Sequence, residues 1–95
     1  MSSEPEVART SRGDVHGFRI SNGVTAFLGI PFAQPPIGAL RFQRPQPQPR
    51  FPGDRLEAVK APPACMQTEN GLMGMGPLEM DEDCLYLNIL TPNVP

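Results

Sequence analysis

Residues 80–92 read MDEDCLYLNILTP: three consecutive acids and a cysteine directly before a short apolar run. In an extended run, alternate side chains point to opposite faces. Leu85, Leu87 and Ile89 then share one face while Tyr86, Asn88 and Leu90 share the other, and both faces are mostly apolar. A strand of this kind belongs inside a sheet covered on both sides, as in α/β folds. The remaining sequence has no helical segment to provide that cover, so the 95 residues read as part of a larger domain.

Composition supports this reading. Eight Leu, four Ile, five Val and five Phe in 95 residues can form one thin core and no second domain. Thirteen Pro and nine Gly exclude long helices, because proline lacks the backbone donor and clashes with the preceding turn. The 8 basic and 10 acidic residues are scattered, with a net charge of −2, which argues against a nucleic-acid partner. No run of 18 apolar residues suggests a membrane span, and MSSEPEVARTSRG lacks the basic start and apolar stretch of a secretory signal. The chain thus opens as a cytoplasmic protein would.

VHGFRIS and VTAFLGI, rich in β-branched and aromatic residues, flank Asn22-Gly23, the pair best suited to a type I′ hairpin turn. VARTSR would add an edge strand to an antiparallel meander. Nine of the prolines fall between residues 31 and 63, which predicts an irregular or polyproline run over the surface. Within it, DRLEAVK is either one helical turn capped by Asp54 or a strand carrying Leu56 and Ala58 inward. Residues 66–83 show neither helical nor strand periodicity and read as a loop.

Few residues could carry chemistry. Ser2, Ser3, Ser11 and Ser21 occupy terminal or turn positions, and none lies in the G-x-S-x-G setting of a strained nucleophile elbow. His16, the single histidine, reads as an ordinary strand residue rather than a general base. Glu79, Asp81, Glu82 and Asp83 do not follow calcium-loop spacing and read as a solvated acidic run. One of these acids would instead pair with Arg41, whose guanidinium suits a carboxylate. Two thiols and one distant histidine make a poor metal site. On spacing alone, Cys65 and Cys84 are either a disulfide or two reduced buried thiols; a bond closing residues 66–83 would contribute roughly 3 kcal/mol. Met66, Met73, Met75 and Met80 suit either an adaptable apolar lining or a core gap. Pro49-x-x-Pro52 matches a polyproline ligand pattern common by chance.

FLGIPFAQPPIGALRFQRPQPQP, then ACMQ, then EDCLYLNILTP, resembles the N-terminal region of type-B carboxylesterases, the family of cholinesterases and para-nitrobenzyl esterases. The resemblance runs from about Arg12 to Pro92. It implies the N-terminal part of a single α/β-hydrolase domain over residues 1–95: a small antiparallel sheet up to about Gly29, then a proline-rich segment and a disulfide-type loop, and finally an early strand of the large central sheet from Leu85 to Thr91. It further implies a Cys65–Cys84 disulfide, a structural Arg41–Glu82 salt bridge, and Met73 and Met75 at the rim of an apolar gorge entrance.

The family hydrolyses carboxylic esters through a serine acyl-enzyme without a cofactor. By resemblance its triad and oxyanion hole lie downstream of EDCLYLN, so no catalytic residue transfers to this chain, which alone should be inactive. Its partners would be the remaining C-terminal part of the esterase and a small-molecule ester, with neither nucleic acid nor membrane. The cysteine loop lacks the tryptophan that binds choline in cholinesterases. The alternatives are a non-catalytic, neuroligin-like binding member of the superfamily, or a small β module that binds peptides through its proline run.

Overall fold

The computed structural model of the chain describes residues 5–20, 23–68 and 79–92. Among the described residues, five strands form one sheet: β1 (Pro5–Thr10), β2 (Gly13–Arg19), β3 (Thr25–Pro31), β4 (Arg55–Glu57) and β5 (Tyr86–Thr91). β1 and β2 pair antiparallel along their whole length, from Pro5 opposite Phe18 to Thr10 opposite Gly13. VART of the VARTSR run thus lies in the edge strand, and Ser11 and Arg12 form the turn that follows it.

The other side of β2 is divided. Phe18 and Arg19 pair antiparallel with Ala26 and Thr25 of β3, whereas Asp14, Val15 and His16 pair parallel with Arg55, Leu56 and Glu57 of β4. Ala58 follows β4 into the fork. Its N–H donates to the His16 carbonyl at 2.7 Å, and its carbonyl accepts the Leu28 N–H at 2.8 Å. The side chain has 0% exposure, leaving little room for anything larger. DRLEAVK thus resolves as a strand with Ala58 inward, while Asp54 ends a 3-10 turn over Pro52–Asp54.

The fork forms where Phe27 lies against Gly17. A Cβ on Gly17 would sit 2.3 Å from the Ala26 carbonyl oxygen and 2.5 Å from the Phe27 ring, so only glycine permits the approach. Val15, Phe27, Phe51 and Ala58 make the buried core, with Ala8, Ile30 and Leu56 packed against it. Phe51 corrects the expectation of a proline run confined to the surface. Its N–H donates to the Arg12 carbonyl at 2.8 Å, anchoring the segment beside β2 so that the ring turns inward. Ala33 of the same run is also buried, and it bridges to Pro47.

Two local expectations change. A two-residue Asn22-Gly23 turn would place Ser21 opposite Val24. Instead, Arg19 faces Thr25 and the Ile20 N–H donates to the Val24 carbonyl, leaving three residues between Ile20 and Val24. Gly23 has φ 75°, as the left-handed position of a three-residue hairpin loop requires; Ser21 and Asn22 lie outside the described residues. β3 also departs from a regular, half-exposed strand: Thr25, Ala26 and Phe27 are all buried, so both of its faces are covered there. Farther on, the register to β5 shifts between Phe27 and Ile30. At this bulge Gly29 adopts φ 75°, and its N–H donates to Asn88 Oδ1 at 2.9 Å.

β5 pairs antiparallel with β3, with Thr25 opposite Thr91 and Pro31 opposite Tyr86, so one sheet spans the two regions that the resemblance separates. Among the described residues it is an edge strand. Leu87, Ile89 and Leu90 are exposed, Leu90 to 64%.

Replacing Gly17 with alanine is expected to cost about 1–3 kcal/mol, because the new methyl meets a backbone oxygen and a buried ring that have little freedom to move. The expected result is a lower urea midpoint with an unchanged slope. An unaltered midpoint would show that the fork tolerates a Cβ.

Candidate functional site

Two features stand out: a polar neck around the cysteines, outside the core, and an apolar groove into which the core opens. At the neck, the Ala64 N–H donates to the Glu79 carbonyl at 2.8 Å, and the Asp81 N–H donates to the Ala64 carbonyl at 2.9 Å. These bonds bring the two ends of the cysteine segment together one residue before Cys65. Cys65 and Cys84 then form a disulfide with a Cα–Cα distance of 5.1 Å.

The acidic run has a local structural role. Asp81 Oδ1 accepts the Asp83 N–H at 2.8 Å, a carboxylate bonding its own backbone two residues on. Arg41 Nε donates to Glu82 Oε2 at 2.8 Å. The Arg41 and Glu82 side chains are 55% and 42% exposed, which puts the pair in the range of about 0.2–1 kcal/mol typical of surface ion pairs. The Arg41 guanidinium also lies 4.8 Å from the centre of the Phe42 ring. Phe42 is 89% exposed and has φ 64°, an uncommon backbone region for a bulky residue. Pro36, Arg41, Phe42, Met66, Glu82 and Cys84 line a cleft of about 230 Å³ beside the disulfide. Met73 and Met75 lie outside the described residues.

Tyr86 follows the neck at the start of β5. Its hydroxyl is pushed up to about 12, first by burial, then by its hydrogen bond to the Asp83 carboxylate, and further by the charges of Asp83 and Asp81. All three effects disfavour the phenolate. The short spacing from Asp83 to Tyr86 was visible in the sequence, but a phenol–carboxylate contact requires the neck to turn the acid back toward the strand.

The groove was not evident from sequence. It measures about 520 Å³, and Ala8, Val15, Phe27, Ile30, Phe51 and Ile89 are among its walls. The opposite face of β1, β2 and β4 is polar. Cross-strand register places Arg9, Asp14 and Arg55 in one row and Val7, His16 and Glu57 in the next. Arg55 Nε donates to Glu57, and that bond holds the Glu57 carboxyl below its ordinary range, against the opposing effect of desolvation. His16 therefore stands in a solvated charge ladder, and Ser11 lies in the β1–β2 turn. Ser2, Ser3 and Ser21 fall outside the described residues. Among the described residues, no group of three or more His, Cys, Asp or Glu side chains could hold a metal, and no helix is long and apolar enough to cross a membrane.

Tyr86 is the one tyrosine in the chain, so phenolate absorbance isolates it. The folded-state midpoint should lie near pH 12, against about 10 in denaturant. The raised value means that the folded state retains its proton longer. The corresponding stability is therefore present below about pH 10 and is lost as pH rises toward 12. Asp83→Asn should move the folded midpoint downward; equal midpoints for native and denatured protein would contradict the contact.

The model of the carboxylesterase family matches residues 4–95. Pyrethroid hydrolase Ces2e of Rattus norvegicus is 41% identical over 105 residues, a match that covers 97% of this chain and 18% of the relative. Acetylcholinesterase of Electrophorus electricus is 39% identical, covering 98% of this chain and 17% of the relative. Among solved structures, a thermophilic PNB esterase superposes with a TM-score of 0.79 at 35% identity, over 95% of this chain and 19% of that one. EstA of Aspergillus niger gives 0.75 at 33% identity, over 93% of this chain and 16% of that one. The chain thus spans about a fifth of the length of the relatives it matches. With its forked sheet, antiparallel except for β4, and its disulfide-closed neck, it belongs to the carboxylesterase family and carries part of that family's α/β-hydrolase fold.

Proposed function

We propose that this chain is the N-terminal portion of a single α/β-hydrolase domain that hydrolyses carboxylic esters through a serine acyl-enzyme. The serine hydroxyl, its base and the oxyanion donors belong to the rest of the domain. In that scheme the base takes the serine proton as the oxygen attacks the ester carbonyl. Backbone N–H groups stabilise the resulting oxyanion, and the alcohol departs with the proton. Water then repeats the sequence and releases the acid. The 95 residues contain no G-x-S-x-G, and the groove offers apolar walls with no catalytic pair. The relatives reported above carry hydrolase or esterase names, which favours hydrolysis over a binding-only role.

One observation carries the chain's own part. The buried core opens directly into the 520 Å³ groove, and the adjoining strand β5 exposes Leu87, Ile89 and Leu90. Apolar surface of this kind on a small sheet marks an interaction site, and an edge strand is a template for pairing. The occupant supported by the length comparison is the remainder of the esterase domain. In this reading the polar ladder of Arg9, Asp14, Arg55, His16 and Glu57 faces water. The chain contributes a supporting sheet beneath the catalytic centre.

The purified chain should not turn over p-nitrophenyl esters. Mixed with the separately produced remainder, it should restore turnover that a fluorophosphonate abolishes. Serine-dependent hydrolysis by the 95 residues alone would refute the proposal. Ile89→Asp in the groove should raise the concentration needed for half-maximal restoration about tenfold or more, since a carboxylate would be buried without a partner. Glu57→Gln on the polar ladder should stay within about twofold.

A further inference from the structure

We propose that the neck between Ala64 and Cys84 is a redox-responsive element: thiols open it locally while the sheet stays folded. The argument rests on where the ties lie. Across the neck run the two backbone bonds between Ala64 and residues 79 and 81 and the disulfide, and the Arg41–Glu82 pair ties its acidic side to the segment after Gly38–Leu40. None of the residues making these ties belongs to the core cluster of Val15, Phe27, Phe51 and Ala58. The ion pair is half-exposed and correspondingly weak, and two hydrogen bonds add only modest stability in water. The covalent bond is the dominant tie. Because its residues stand outside the core, its loss does not remove core packing.

Chemical access agrees with this placement. Cys65 is exposed and Cys84 is half-buried. An incoming low-molecular-weight thiolate attacks one sulfur, breaking the Cys65–Cys84 bond and forming a mixed disulfide as the other cysteine leaves as a thiolate that then takes up a proton. A second thiol displaces the protein sulfur. Overall, two thiols are oxidised to one small disulfide, and the protein gains two thiols. Arg41 offsets Glu82, while Asp81 and Asp83, close to Cys84 in sequence, leave net negative charge that disfavours an approaching anion. A neutral or cationic thiol should therefore reduce the bond faster than an anionic one of similar pKa.

The test is amide hydrogen exchange on the full chain with and without a thiol reductant. It is read at Ala64 and Asp81, whose N–H groups close the neck, and at Leu28 and Ala58, whose N–H groups close the fork. Reduction should accelerate exchange at Ala64 and Asp81 about a hundredfold, the scale of a cross-link closing a loop of this length. Exchange at Leu28 and Ala58 should change by less than about threefold. A Cys65→Ser, Cys84→Ser variant should reproduce the reduced pattern without reductant. Unchanged exchange at the neck would show that the non-covalent ties suffice and would overturn the proposal. Equal acceleration at all four amides would also overturn it, by making the disulfide a determinant of the whole fold. Neither readout requires ester hydrolysis, so the result stands apart from the catalytic reading.

Discussion

The close approach of the Phe27 ring to Gly17 holds the fork of the sheet together. Phe27 lies opposite Ile89 in the β3–β5 pairing, while its side chain joins Val15, Phe51 and Ala58 in the core. It therefore joins the central strands, the strand at one edge and the proline-rich segment. With no Cβ at position 17, β3 can cross β2 closely and then part from it. The gap so opened receives Ala58, whose N–H and carbonyl satisfy β2 and β3 on either side. Backbone polar groups at the fork would otherwise be buried without partners, at a cost comparable to the core contacts themselves.

The molecule has two mechanically different parts. Around the fork, stability comes from buried apolar surface and a continuous ladder of backbone bonds. Around the neck it comes from a disulfide, an exposed ion pair and short polar turns, with Asp81 bonding the Asp83 backbone and Asp83 accepting from Tyr86. Tyr86 connects them: its hydroxyl faces the acidic neck, while its backbone begins β5. The groove and β5 carry exposed apolar surface, whereas the charge ladder and the neck carry the polar surface.

Local signals in the sequence were read well where the chemistry was itself local. The β-branched runs on either side of Asn22-Gly23 form a hairpin, and VART lies in the strand at its edge. The two-faced apolar pattern of β5 indicated a missing cover, and the structure leaves its leucines exposed. Legibility ended where distant segments meet. Nothing in RPQPQPRFPG separates Phe51, which is buried, from Phe42 in GALRFQRP, which is 89% exposed. Both phenylalanines sit among prolines and arginines. The difference arises from the Phe51 N–H bonding the Arg12 carbonyl, a contact between residues 39 positions apart in sequence. The hairpin loop and the β3 bulge were missed because each is set by pairing with a neighbour strand, Gly29 answering to Asn88 across 59 residues.

By itself, then, the sequence determined that these residues are extended rather than helical, and that one strand needs cover on both faces. Through its motif order it also determined the carboxylesterase kinship. Proline density, alternation and short motifs are properties of neighbouring residues, and they survive without knowledge of the fold. The tertiary structure alone decided that β4 enters beside β2 in parallel, that a single aromatic ring on a glycine splits the sheet, and that the core opens into a groove. Those outcomes depend on which surfaces meet after the chain has turned back on itself, and apolar attraction, being non-directional, does not encode its partner in local sequence.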